Sequence, residues 1–145
     1  MKDNTTITKV MAYITRFNSR RTELLVYKHK NYPEAGIQVP AGTVEDDETI
    51  EEALYRESKE ESGLIDFLSV NKLKTYVYRH EGKSQYHERH VFHLKAKGET
   101  SERWEYKVNS EGEDAGLIFS YYWVPIQAIP KLAANQDDCI DQLFL

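Results

Sequence analysis

Glu57, Glu60 and Glu61 stand where helical spacing turns an apolar stripe into acid. The stripe begins at Ile50, Ala53 and Leu54, and steps of three and four residues place its next members at 57, 60 and 61. Like charges at these spacings repel, and carboxylates in a last helical turn face the negative end of the helix dipole. Each penalty is about a few tenths to one kcal/mol. A hard divalent cation removes both objections, because Mg²⁺ takes oxygen ligands and keeps waters that a phosphate can displace. The competing reading is a solvated Glu-rich helix, with Arg56 and Lys59 softening the repulsion. Spacing alone does not separate the two.

The element that must position these acids is a helix over residues 48–62. Thr49 is its candidate N-cap, Glu52 stands at the capping-box spacing, and Gly63 suits the position after the last turn. Residues 6–17 and 22–29 alternate and are rich in β-branched types, so they read as a hairpin. Residues 31–36 form a loop, 37–39 a very short strand ended by Pro40, and 41–47 an irregular loop carrying Gly42. Residues 67–79 and 85–96 read as longer strands, and 97–116 as a polar stretch with isolated Trp104 and Tyr106. A strand over 117–124 is stopped by Pro125, and 126–145 reads as a terminal helix broken near Pro130. The expectation is one α+β domain over 1–145, with a mixed sheet and at least two helices.

Composition narrows the function classes. The 145 residues are 40% hydrophobic and 30% charged, as in a globular protein, and no apolar run is long enough to span a membrane. The net charge of −5 counts against gripping a nucleic-acid backbone, though not against a small phosphate ligand held through a cation. The start of the chain has no apolar segment of the signal-peptide kind, and the lone Cys139 has no internal disulfide partner. A reducing, cytoplasmic setting is the expectation.

Gly42, Glu48, Arg56-Glu57, Glu60-Glu61, Gly63 and Leu64 match the spacing G-x5-E-x7-R-E-U-x-E-E-x-G-U, with U aliphatic. Residues 42–64 therefore resemble the Nudix box. One position departs: Ser58 stands where a bulky aliphatic residue is usual, which should loosen the helix packing slightly. The resemblance extends to residues 37–42 as the strand and loop entering the box, and to Tyr122-Trp123-Val124-Pro125 as the last strand before the terminal segment. It implies a Nudix fold, a mixed β-sheet sandwiched between α-helices.

The resemblance also implies roles. Glu57 and Glu61 are the main metal ligands, with Glu60 beside them and Gly42 offering its backbone carbonyl. Mg²⁺ is the implied cofactor, with Mn²⁺ as a substitute. Arg56 orients a carboxylate through its planar fork, the bland alternative being a surface pair with Glu52. Glu48 braces the loop onto the helix. The implied reaction is hydrolysis of a nucleoside diphosphate linked to another group, aided by metal and by a carboxylate base. Within the box the base is Glu57. Glu111 or Glu113, in the loop over 109–116, are the alternatives, and Glu105 is an outlying one.

His80, His87, His90 and His93 lack the spacing of a structural zinc motif and read as strand histidines near a pocket mouth. One or two of the ten tyrosines are candidates to stack on a base, and Cys139 reads as packed. The partner expected is a small nucleotide substrate, not nucleic acid or membrane. A homodimer stays open, since many relatives form dimers. Two other readings remain: a non-catalytic Nudix-fold nucleotide sensor, and an RNA-end pyrophosphohydrolase. No proline lies between Leu64 and Trp123, so the family's downstream proline associated with ADP-ribose hydrolysis is absent.

Overall fold

A computed structural model describes residues 5–80, 82, 84–110, 112 and 115–144. Seven strands form one sheet: β1 Thr5–Asn18, β2 Arg21–His29, β3 Ala41–Thr43, β4 Phe67–His80, β5 Gln85–Ala96, β6 Arg103–Lys107 and β7 Ile118–Pro125. Their order is β4-β5-β1-β2-β7-β6, with β3 paired to β1 off this path. β1 and β5 run parallel and every other pair antiparallel, which makes the sheet mixed.

β1 divides one of its edges between two partners. Its C-terminal end pairs with β2 from Thr15 to Asn18, and its N-terminal half pairs with β3 from Lys9 to Met11. Gln38 fills the gap by bridging to Tyr27 of β2 through two backbone hydrogen bonds. This wedge brings Gly42 onto the rung of Val10, below the box helix.

The helix α1, Ile50–Ser62, starts and stops by local rules. Thr49 accepts from the Glu52 amide, the Glu52 side chain accepts from the Thr49 amide, and Gly63 caps the end at φ 82°. Ala53 and Leu54 pack on Val10, Ala12 and Phe92 on one face of the sheet. Burial of a side chain such as Leu54 contributes about 1.5–3 kcal/mol. The other face is covered by the C-terminal segment, through Leu132 and Cys139 packed on Met11, Tyr13 and Val91. Among the described residues no helix is long and apolar enough to cross a membrane.

Three readings of the sequence change. Residues 37–39 contribute only the Gln38 bridge, and the strand lies instead at Ala41–Thr43, inside the stretch read as loop. Trp104 and Tyr106 belong to the edge strand β6 rather than to a polar connection. The terminal helix is 3₁₀, in two pieces at Ile126–Ala128 and Ala133–Phe144, and the second is kinked by left-handed Ala134 and Asn135. No α-helix can pass through two such residues.

Ser58 is fully buried, its hydroxyl bonded to the Leu54 carbonyl at 2.8 Å, and Ser62 repeats the pattern onto Ser58. The helix thus sits close enough to leave Ser58 no contact with solvent. Ser58→Ala should stay within about 0.5 kcal/mol of the parent in urea unfolding, because the carbonyl it bonds already belongs to the helix ladder. Ser58→Leu should cost about 1–3 kcal/mol by overpacking. A stabilised Leu variant would show that the helix packs loosely there.

Candidate active site

The box helix meets β3 over a cleft of about 1080 Å³. Gly42, Arg56, Glu57, Glu60 and Glu61 all line it, so the structure brings the box residues together. Glu111 and Glu113 lie outside the described residues, but Asn109, Ser110 and Gly112 of the same loop line the cleft. The loop is tied to the helix by the Asn109 amide donating to the Glu60 carbonyl at 3.0 Å. Glu105 is half-exposed, pairs with Lys30 at 3.0 Å and is not among the residues lining the cleft.

Arg56 is the hub of the acidic end. Its guanidinium bonds to both oxygens of Glu48, to Glu57 at 2.8 Å and to Glu60 at 3.1 Å, and donates to the Thr43 carbonyl at 2.9 Å. Its partners are thus loop and helix acids rather than Glu52. Glu48 accepts from Arg56 and, through Oε1, from the Glu45 amide, the bracing expected of it. The Arg56 hydrogen bonds, outweighing burial, hold the Glu48 carboxyl below its ordinary range.

Glu57 is placed differently. Its carboxylate packs onto the backbone of Gly42 so closely that a Cβ there would fall 2.0 Å from the Glu57 carboxyl carbon. Any side chain at position 42 would have to displace the Glu57 carboxylate. Burial pushes the Glu57 pKa up, against hydrogen bonding to Glu61 and the pull of Arg56, and the Glu60 charge adds to the rise. Glu61 is deeper still, 3% exposed, and its carboxylate accepts from the Ala41 amide at 3.3 Å. Among the described residues no three His, Cys, Asp or Glu side chains converge into a metal cluster as placed; Glu57 and Glu60 instead share Arg56.

The histidines separate. His90 bonds to Glu88 at 2.7 Å and to Lys72 at 2.8 Å, and His93 to Thr15 at 2.7 Å. His80 and His87 line the cleft, joined by Gln85, Lys9 and Arg89. The sequence reading missed Arg89 and Lys9. Gln85, His87 and Arg89 do share one face of a strand by their alternation, but only the parallel register with β1 sets them beside Lys9 in the cleft.

A raised Glu57 pKa means that the fold favours the protonated side chain. That contribution to stability is present below the ordinary value of 4.5 and is lost as pH rises through the elevated folded value. Glu57→Gln, which cannot ionise, should therefore melt higher than the parent in EDTA at about pH 7.5, with the gap closing towards about pH 4. A parent that melts higher in EDTA at neutral pH would contradict the burial argument.

The NUDIX domain model matches residues 6–143. A MutT NUDIX hydrolase from Burkholderia pseudomallei superposes with a TM-score of 0.70 at 22% identity, covering 97% of this chain and 99% of that one. The NUDIX domain of Shewanella oneidensis NrtR, solved with ADP ribose, gives a TM-score of 0.69 at 16% identity over 99% of this chain and 88% of that one. A C. elegans Ap4A hydrolase gives 0.60 at 17% identity over 96% of this chain and 94% of that one. No curated protein matches the sequence. At these identities the superpositions establish the shared fold. The family match over residues 6–143 establishes that this chain belongs to the NUDIX family, whose hydrolases act on phosphoric anhydride bonds.

Proposed function

We propose that this protein is a divalent-metal-dependent pyrophosphohydrolase acting on a nucleoside diphosphate linked to another group. The observation that carries the reading is the Glu57 carboxylate, packed onto the Gly42 backbone in a large cleft that Glu60 and the buried Glu61 also line. Carboxylates gathered in one cleft repel, and a proton or a cation offsets that repulsion. The donor set suits a hard cation, for it offers oxygen only: carboxylates of Glu57, Glu60 and Glu61 and the Gly42 carbonyl. Mg²⁺ fits this chemistry, with Mn²⁺ as a substitute.

When bound, the cation supplies neutralisation of the diphosphate, a polarised P–O bond and a more acidic water. The chain supplies the rest. Arg56 holds Glu57 and Glu60 in fixed directions through its fork. Glu57, whose proton affinity is raised by burial, is suited to accept the proton of a water attacking phosphorus. The bridging anhydride oxygen leaves with the other phosphoryl group. The Asn109 to Glu60 hydrogen bond ties the start of the loop over 109–116 to the box helix, and Glu111 and Glu113 stay candidates to share the proton transfer. The folded unit over 1–145, a cytoplasmic setting and a homodimer belong to the same proposal.

A panel of nucleoside di- and triphosphates, nucleotide sugars and dinucleoside polyphosphates tests it by product identity. EDTA should abolish turnover and Mg²⁺ or Mn²⁺ should restore it; full activity without metal overturns the cation. Glu57→Gln should lower kcat by about 10²–10⁴-fold. Nucleotide affinity, measured by calorimetry, should change far less. Glu111→Gln and Glu113→Gln beside it would identify a loop base by the larger loss. Tight binding with no turnover of any nucleotide would favour a sensor instead.

A further inference from the structure

The two guanidiniums of the cleft are partnered in opposite ways. Arg56 is surrounded by carboxylates. Arg89 is only 6% exposed, yet no carboxylate pairs with it among the described residues. Its Nη1 donates to the Tyr76 hydroxyl at 3.0 Å, and its guanidinium lies 3.9 Å from the centre of the Tyr78 ring and 5.9 Å from that of Tyr76. Among the described residues, its five N–H groups are thus served by one hydrogen bond and two ring faces. Buried charges are ordinarily paired, because desolvation penalises a lone ion heavily.

The surroundings point the same way. One row across the sheet reads Thr43, Lys9, Arg89 and Tyr76, on β3, β1, β5 and β4. Two strand spacings put the Arg89 backbone about 10 Å from that of Thr43, the residue next to Gly42. The next row on the same face carries Ile7, His87 and Tyr78. His80 lies beyond it, with its ring centre 5.3 Å from that of His87. Its Nδ1 is buried with no hydrogen-bond partner among the described residues. Arg89, His80 and His87 all line the cleft that holds the box glutamates.

We propose that Arg89, flanked by His80 and His87, binds a second anionic group of the substrate, a phosphoryl group separate from the scissile diphosphate, and so selects nucleotides that carry one. The inference rests on the hydrolase reading for what happens at the box, but the anion site stands on its own geometry. A diphosphate held at Gly42 is too short to reach the Arg89 row as well, so the anion is a further group. The planar fork suits phosphoryl oxygens, and imidazole nitrogens add donors. The ring face of Tyr78 under Arg89 is already covered, so stacking of a base on that face is not what the row offers.

Paired substrates test this. One pair sets adenosine 3′-phosphate 5′-diphosphate against ADP, placing the extra phosphate on the ribose. A second sets adenosine tetraphosphate against ADP, placing it along the chain. The member that fits should be preferred in kcat/KM, chiefly through KM, and the pair that shows the preference identifies the source of the phosphate. Arg89→Met should reduce that preference by about tenfold to a hundredfold. Arg89→Lys keeps the charge without the fork and should retain part of it; it also serves if the Met variant does not fold. The ligand-free Arg89→Met protein should melt no lower than the parent, since an unpaired buried charge is gone; a structural ion-pair role would lower it.

Calorimetry with the Glu57→Gln protein separates the two claims. If that protein binds both members of each pair equally, or if the preference survives Arg89→Met, the anion site is overturned. If the preference depends on Arg89 while the parent hydrolyses no nucleotide, the anion site holds and the hydrolase reading falls.

Discussion

One guanidinium keeps the acidic end of this molecule together. Arg56 reaches Glu48 in the loop, Glu57 and Glu60 on the helix and the Thr43 carbonyl on β3. Without it, the acids at 57, 60 and 61 would repel at the end of a helix whose dipole already opposes them. The Glu48 hydrogen bond above all raises the proton affinity of Arg56 beyond that of an ordinary arginine. A lysine could not take its place, for an ammonium is a point charge and cannot present two parallel N–H groups in a plane. The loop, the strand and the helix therefore behave as one charged unit, and the position of each acid depends on the other two elements.

That unit needs a particular sheet. β1 gives up part of one edge to β3, and the wedge of residues between β2 and β3 keeps the edge paired through Gln38 and Pro40. The result lifts Gly42 against Glu57, a contact that any side chain at position 42 would push apart. The same wedge is anchored from the opposite layer. The buried Gln136 side chain accepts from the Val39 amide at 2.9 Å, and its carbonyl accepts from the Tyr13 hydroxyl. The C-terminal segment thus holds the strand on which the site rests, although it forms only 3₁₀ turns.

What was legible in the sequence follows from the range of the interactions. The ends of α1 depend on residues within one turn, so Thr49, Glu52 and Gly63 could be read directly. The box glutamates could be read because their spacing breaks an amphipathic pattern and matches a known motif. β3 could not, since its pairing is with residues 30 to 34 positions earlier and it contains no periodicity of its own. Strand β6 does alternate, Arg103-Trp104-Glu105-Tyr106-Lys107, but charges on both outer positions hid it in a polar stretch. The left-handed Ala134 and Asn135 carry no sequence signal at alanine, where such a backbone is disfavoured. Arg89 needed the β1–β5 register before its neighbours could be named.

The two ends of the cleft leave opposite charges unbalanced. At the box, Glu57, Glu60 and Glu61 line one cleft, and Arg56 is already divided among several acids. At the far end, Arg89 lacks a carboxylate altogether among the described residues. The two cannot neutralise one another directly, because the box helix lies on the sheet face of Val10 and Phe92 whereas Arg89 shares the opposite face with Met11 and Val91. Desolvation penalises each excess separately. A ligand that brings cations to one end and an anion to the other relieves both at once, and neither end alone can discriminate as well as the pair. Specificity in such a cleft depends on the distance between two charges as much as on the chemistry at either, and the β-sheet register sets that distance.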